Sequence, residues 1–284
     1  MAIKEILIIL PTYPDAPPVR TMESACFLAQ ILGAKITGLI PQLSGDVATW
    51  PALIGTFPLD FPRLMDEAVH GSERNAQRLT EEITKAASEY RVGLDVRRSL
   101  TVLYGSPDPL IDLARLHDLT ILPIPEIDSF DRNYLEPVLF GSGRPTLLLP
   151  SGRDQKPLRQ MENVVVAWDF GREAARALSD ALPILTMAKR VHIFSVLGEK
   201  HIRTTTGTGD LEKYLDSHDI KYRLEEAVFT EGTVGDCLTA QITKTNADML
   251  VMGAYGHSRI REFVLGGATR GMLANPVVPI FLSH

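Results

Sequence analysis

Short, unbroken apolar runs alternate along this chain with helical stripes. The first run is Ile6-Leu7-Ile8-Ile9, and Val164-Val165-Val166 is a second of the same kind. Each is followed by a turn that carries an acid, then by a helical pattern. In the first half that pattern runs from Met22 to Leu32. In the second, Ala174, Leu178, Ala181, Leu182 and Leu185 fall on one face at three- and four-residue spacing. Each helix leads into another apolar strand, Lys35 to Ile40 and Val191 to Val196. The ends of the halves match as well. His117-Asp118-Leu119-Thr120-Ile121 parallels Ala247-Asp248-Met249-Leu250-Val251, and Pro145-Thr146-Leu147-Leu148 parallels Pro279-Ile280-Phe281-Leu282.

Continuous apolar strands separated by helices mark a parallel sheet covered on both faces. The pattern predicts an α/β chain of two tandem, open, Rossmann-like parallel-sheet domains with about five strands each. Their expected extents are 1–152 and 158–284, joined by a polar linker from Ser151 to Pro157. Strands are expected near 4–10, 35–40, 94–101, 118–123 and 145–149, then 163–168, 191–197, 220–228, 248–253 and 278–282. The first half is the longer one. It adds a Pro- and Trp-containing loop, Pro41 to Pro62, read as a surface cover, and a helix striped by Leu64, Ala68, Ala76, Leu79, Ile83 and Ala87.

Composition narrows the classes. The 284 residues are 45% hydrophobic and 23% charged, so the chain is neither disordered nor fibrous. Two cysteines, Cys26 and Cys237, exclude a disulfide scaffold and a Cys-rich zinc site. The net charge of -6 has the wrong sign for a general nucleic-acid binder. No apolar run approaches the roughly 20 residues of a membrane span, and none reads as a signal peptide, so a cytoplasmic protein is expected. No two of the seven histidines stand four apart, no H-E-x-x-H occurs, and no metal site is indicated.

The most informative stretch runs from Gly253 to Thr269. It follows the fourth strand of the second half, where an open parallel sheet holds its ligands. Gly253, Gly256, Gly266 and Gly267 let backbone N–H groups approach an anion, and the last two precede a helical segment whose amino end favours phosphate. This stretch resembles the universal stress protein family, whose pattern is Gly, two residues, Gly, nine residues, Gly, then Ser or Thr. Gly253, Gly256 and Gly266 match at that spacing. Gly267 stands where the family has a hydroxyl, and Thr269 matches a further hydroxyl position. Trp168-Asp169 looks like the family's acid-bearing first loop. The resemblance covers about 160–284 well and the first half in element order only.

The resemblance implies ATP, or ADP or AMP, bound in the second half. Asp169, beside Trp168, would accept from ribose or adenine, and Val196 would meet the adenine ring. Met252, Gly253, Gly256, Gly266, Gly267, Ala268 and Thr269 would surround ribose and phosphates. It also implies that the halves pair through their last strands as an intramolecular pseudo-dimer, with a further homodimer open. Taken alone, Asp169 equally suits the cap of the following helix, and Gly253 and Gly256 equally suit turns. In the first half, Pro123 and Glu126 replace Gly253 and Gly256, and Asp128, Asp131 and Glu136 add carboxylates that repel phosphate. One nucleotide per chain is therefore expected.

Rival enzymes fail on specific grounds. No Walker loop, G-x-G-x-x-G or G-x-S-x-G occurs. Thr204 to Gly209 reads as a polar linker. No catalytic residue is identified, and at most slow ATP hydrolysis is expected. The expectation is a nucleotide-binding stress or signalling protein. The alternative is a small-ligand or protein-interaction module that kept the fold.

Overall fold

A computed structural model describes residues 2–44, 61–101, 106–124, 132–152, 155–198, 207–228, 232–254, 271–273 and 276–284. The first half contains β1 (Glu5–Ile9), α1 (Val19–Leu32), β2 (Lys35–Leu43), α2 (Phe61–Tyr90), β3 (Leu94–Thr101), α3 (Asp108–Arg115), β4 (Leu119–Ile124), α4 (Arg132–Gly141) and β5 (Thr146–Pro150). The second contains β6 (Asn163–Ala167), α5 (Arg172–Leu185), β7 (Arg190–Leu197), α6 (Thr208–Ser217), β8 (Tyr222–Val228), α7 (Val234–Thr245), β9 (Met249–Gly253) and β10 (Ile280–Ser283).

The strands form one ten-stranded sheet in the order β3-β2-β1-β4-β5-β10-β9-β6-β7-β8. Read inward from either edge, the order is the same. Every pairing is parallel except β5 with β10, where Ile280 faces Leu148, Phe281 faces Leu147 and Leu282 faces Thr146.

Continuous apolar strands arise because both faces are covered. Ile6 and Ile8 belong to a core with α1, α2, α5 and α6, together with Val164 and Val166. Their neighbours Leu7 and Ile9 point the other way, into a core with α3, α4 and α7 that also takes Val165. All seven of these strand residues are fully buried.

Local signals set the element ends. Gly33 closes α1 at φ 61° and ψ 40°, a left-handed position that glycine takes without steric cost. A reciprocal capping box opens α7: Asp236 N–H donates to the Thr233 hydroxyl at 3.1 Å, and Thr233 N–H donates to the Asp236 carboxylate at 2.8 Å. The repeat extends to side chains. Asp118 accepts from the amides of Lys4 and Glu5 at 2.8 and 3.0 Å. Asp248 accepts from those of Glu162 and Asn163 at 2.7 and 2.9 Å. In both halves, one aspartate beside the fourth strand pins the start of the first.

Two expectations shift. The stripe on α2 holds for Ala76, Leu79, Ile83 and Ala87, but Leu64 is exposed and Met65 turns inward instead. Thr208 and Gly209 lie in α6 rather than in a linker; 199–206 fall outside the described residues, as does the heart of the Pro41–Pro62 loop. The described part of the linker is tied down. Arg20 donates to the carbonyls of Ser151 and Gly152, and Leu158 N–H donates to the Ser24 hydroxyl at 2.9 Å. No helix among the described residues is long and apolar enough to cross a membrane.

Candidate functional site

The sheet reverses direction of winding at β6, which pairs with β7 on one side and β9 on the other. The carboxyl ends of β6 and β9 lie side by side at this switch point, and open α/β sheets usually hold their ligands in a crevice at such a place.

The wall on the β6 side is a tight turn. Trp168 N–H donates to the Phe194 carbonyl at 2.9 Å and prolongs the β6–β7 ladder by one residue. Asp169 Oδ1 then accepts from Gly171 N–H at 2.7 Å. Between them Phe170 is left-handed, at φ 58°. That conformation costs a non-glycine residue roughly 1–2 kcal/mol and collects at ligand-binding turns. Helix α5 starts directly afterwards, with Gly171 as its N-cap and no side-chain cap. Asp169 therefore shapes the turn before the helix rather than capping its first amides.

The wall on the β9 side is bare backbone. A Cβ at Gly253 would lie 2.5 Å from the Glu173 carbonyl carbon and 2.7 Å from both the Ala174 nitrogen and the Glu173 Cβ. No side chain fits there. Gly253 lets the first turn of α5 press onto the end of β9, so the amino end of that helix stands beside the carboxyl end of the strand. Glu173 places a mostly buried carboxylate in that turn and pairs with Arg172 at 2.9 Å.

The structure separates the remaining candidates by face. Val196, half-buried, and Met252, buried, pack on the core that contains α7. Trp168 packs on the opposite core, edge-to-face with Phe170 at 5.5 Å between ring centroids. Its indole nitrogen is buried and has no hydrogen-bond partner among the described residues. Gly256, Gly266, Gly267, Ala268 and Thr269 lie outside the described residues.

The first half closes the matching region with its own side chains. The registers make Pro41 the counterpart of Val196, since Thr37 and His192 occupy equivalent positions. There the buried Thr12 hydroxyl donates to the Pro41 carbonyl at 2.6 Å and lies 2.7 Å from the Ser72 hydroxyl. Ser72 also accepts from Leu43 N–H at 2.8 Å, and Asn75 donates to the Thr12 carbonyl at 3.0 Å. Helix α2 is thereby bolted over the ends of β1 and β2. Pro123, paired with Leu149 as Gly253 is with Ser283, occupies the glycine position on β4. Sequence reasoning missed this network because its members stand up to 63 positions apart. Gly141-Ser142-Gly143 forms the turn before β5, with Ser142 accepting from Arg144 N–H at 3.1 Å.

No family model matches the chain. None of the curated proteins matches it. Solved structures do match. A universal stress protein from Archaeoglobus fulgidus superposes with a TM-score of 0.68, covering 98% of this chain and 97% of its own at 18% identity. The fold is that of the universal stress proteins. A candidate universal stress protein from Pseudomonas aeruginosa gives 0.58 at 14% identity, over 99% of this chain and 93% of its own. A functionally unknown protein from the same species gives 0.57 at 13% identity, over 99% and 92%. The universal stress protein fold is thus matched along the entire chain, both halves included. Among the described residues no group of three or more His, Cys, Asp and Glu side chains is placed to hold a metal ion.

Proposed function

We propose that this chain is an adenine-nucleotide-binding stress-response or signalling protein. It takes one nucleotide, ATP or its ADP and AMP forms, in the crevice between β6 and β9. The observation that carries the reading is the bare Gly253 backbone against the first turn of α5. It brings an amino-terminal helix end and an open strand end together, an arrangement that suits phosphate. The Gly253, Gly256 and Gly266 spacing and the Asp169 turn support the same reading. The bolted Thr12–Ser72–Asn75 network supports a single nucleotide per chain. On this reading 1–152 and 158–284 act as two domains of an intramolecular pseudo-dimer in the cytoplasm, with a homodimer of chains open.

A second reading, a small-ligand or protein-interaction module, is favoured by Glu173, which adds a mostly buried carboxylate to the helix turn that phosphate would have to approach. Native mass spectrometry of freshly purified chain, with ATP calorimetry, separates the two. One nucleotide per chain, lost on Gly256→Glu, is expected. Two nucleotides per chain would overturn the assignment of the first half, and none would favour the second reading.

A further inference from the structure

At the other end of the sheet, the amino ends of β6, β7 and β8 and the last turn of α7 line an open groove of about 690 Å³. Arg190, His192, Arg223, Glu225, Lys244 and Asn246 line it. The groove therefore holds three permanent cations against one carboxylate. That carboxylate is already engaged: Glu225 takes Lys244 Nζ at 2.8 Å on one oxygen and His192 Nδ1 at 2.6 Å on the other. Burial alone would raise the Glu225 carboxyl, but the hydrogen bonds from Lys244 and His192 outweigh it and hold the group at about 2. Its charge is spent on these partners. Arg190 and Arg223 have no ion-pair partner among the described residues.

The first half supplies an internal comparison. By register, Arg223 corresponds to Asp95 and Glu225 to Arg97, because His192 faces Arg223 as Thr37 faces Asp95. In the first half the two charges neutralise each other along the strand, Arg97 to Asp95 at 2.8 Å. In the second half the acid turns inward to His192 and Lys244, and the cation of the pair is left over. His192, which replaces Thr37, is only 4% exposed, and its Nε2 is buried without a hydrogen-bond partner. The carboxyl end of α7, at the rim, is partly quenched. Its Ile242 and Thr243 carbonyls accept from Ala247 and Asn246 N–H at 3.0 and 3.2 Å.

We propose that this groove is a second ligand site, distinct from the β6/β9 crevice, that binds a small molecule with two or more negative charges through Arg190 and Arg223. The volume suits a small molecule, and two unpaired guanidinium groups suit carboxylate or phosphate. Glu225 holds Lys244 and His192 in place rather than meeting the anion. The two sites stand at opposite ends of β6, about 13 Å apart along the strand, so the proposal stands whether or not the crevice takes a nucleotide.

The test is calorimetry on the full chain at low ionic strength, with citrate and inorganic pyrophosphate as separate probes. One equivalent of at least one probe is expected to bind. Binding of citrate alone marks a carboxylate ligand, and of pyrophosphate alone a phosphate ligand. The exposed double variant Arg190→Gln/Arg223→Gln is expected to weaken that binding at least tenfold. Lys35→Gln, the register counterpart of Arg190 in the first half, is expected to change nothing. Failure of both probes to bind, or unchanged affinity in the double variant, would overturn the proposal.

Discussion

Gly253→Ala probes the close contact on which the crevice depends. The new Cβ would sit 2.5 Å from the Glu173 carbonyl carbon and 2.7 Å from the Ala174 nitrogen, whereas ordinary contact begins at 3.4 Å. The obstacles are helix backbone, so no flexible side chain can swing aside. Helix α5 must withdraw by about 1 Å, and its packing on β9 and β10 withdraws with it. Overpacking of this kind costs about 1–3 kcal/mol, and a backbone obstacle places it in the upper half of that range. Urea unfolding followed by circular dichroism reads the cost as a lower midpoint at unchanged slope. Gly209→Ala is the control. A Cβ there meets nothing within 4 Å, and it lies in α6, so alanine should be neutral or stabilising by up to about 1 kcal/mol. ATP calorimetry on Gly253→Ala should show weaker binding, because the helix start moves away from the strand end. A variant within about 0.5 kcal/mol of the parent, the usual range for an uncrowded surface change, would refute the close-approach argument.

Further outcomes follow from other parts of the molecule. Ser72→Ala leaves Leu43 N–H and the Thr12 hydroxyl short of a partner and is expected to cost about 1–3 kcal/mol in the same assay. Asp248→Ala and Asp118→Ala each free two strand-start amides. Each should destabilise by a similar amount, and their distant effects should add in the double variant. Glu225 is held at about 2 against an ordinary 4.5, so its contribution is full above about 4.5 and is lost as pH falls toward 2. Glu225→Gln should flatten that part of the acid-unfolding profile relative to the parent. Gly267→Ser restores the hydroxyl of the family pattern. It is expected to tighten ATP about tenfold or more and AMP much less, since a hydrogen bond to a charged acceptor contributes roughly 1.5–3 kcal/mol.

The sheet was legible because its strands are buried on both faces, and an unbroken apolar run as short as Ile6 to Leu10, bounded by Glu5 and Pro11, suits a covered strand better than a helix. The tandem order was legible from paired signals such as Asp118 and Asp248, whose alignment reappears as the same two-amide contact. Contacts between distant positions were not. Nothing local marks Thr12, Ser72 and Asn75 as one network, nor Glu225 as the partner of both His192 and Lys244. Gly253 stood out as a phosphate or turn glycine, but its described geometry is set by a helix some 80 positions earlier in the chain. The division of Trp168 from Val196 and Met252 likewise depends on which face each strand end presents. Leu64 fitted the helical period, but its neighbour Met65 takes the inward position at that turn and leaves Leu64 exposed.

The antiparallel pair at the centre of the sheet has a consequence for how the two halves can differ. By register Leu147 and Phe281 are counterparts, and they face each other across β5 and β10. In a two-fold assembly of identical chains, a residue on the axis meets its own copy, so any change there is made twice. A large side chain would meet an equally large one, and a smaller one would leave a doubled gap. Joined in one chain, the two positions are free to be unequal. Here a leucine faces a phenylalanine that is the bulkiest of the fully buried side chains. That choice ties the order of the halves into the seam itself: each carries a different piece of the joint, and two copies of either half would have to close it with the wrong pair.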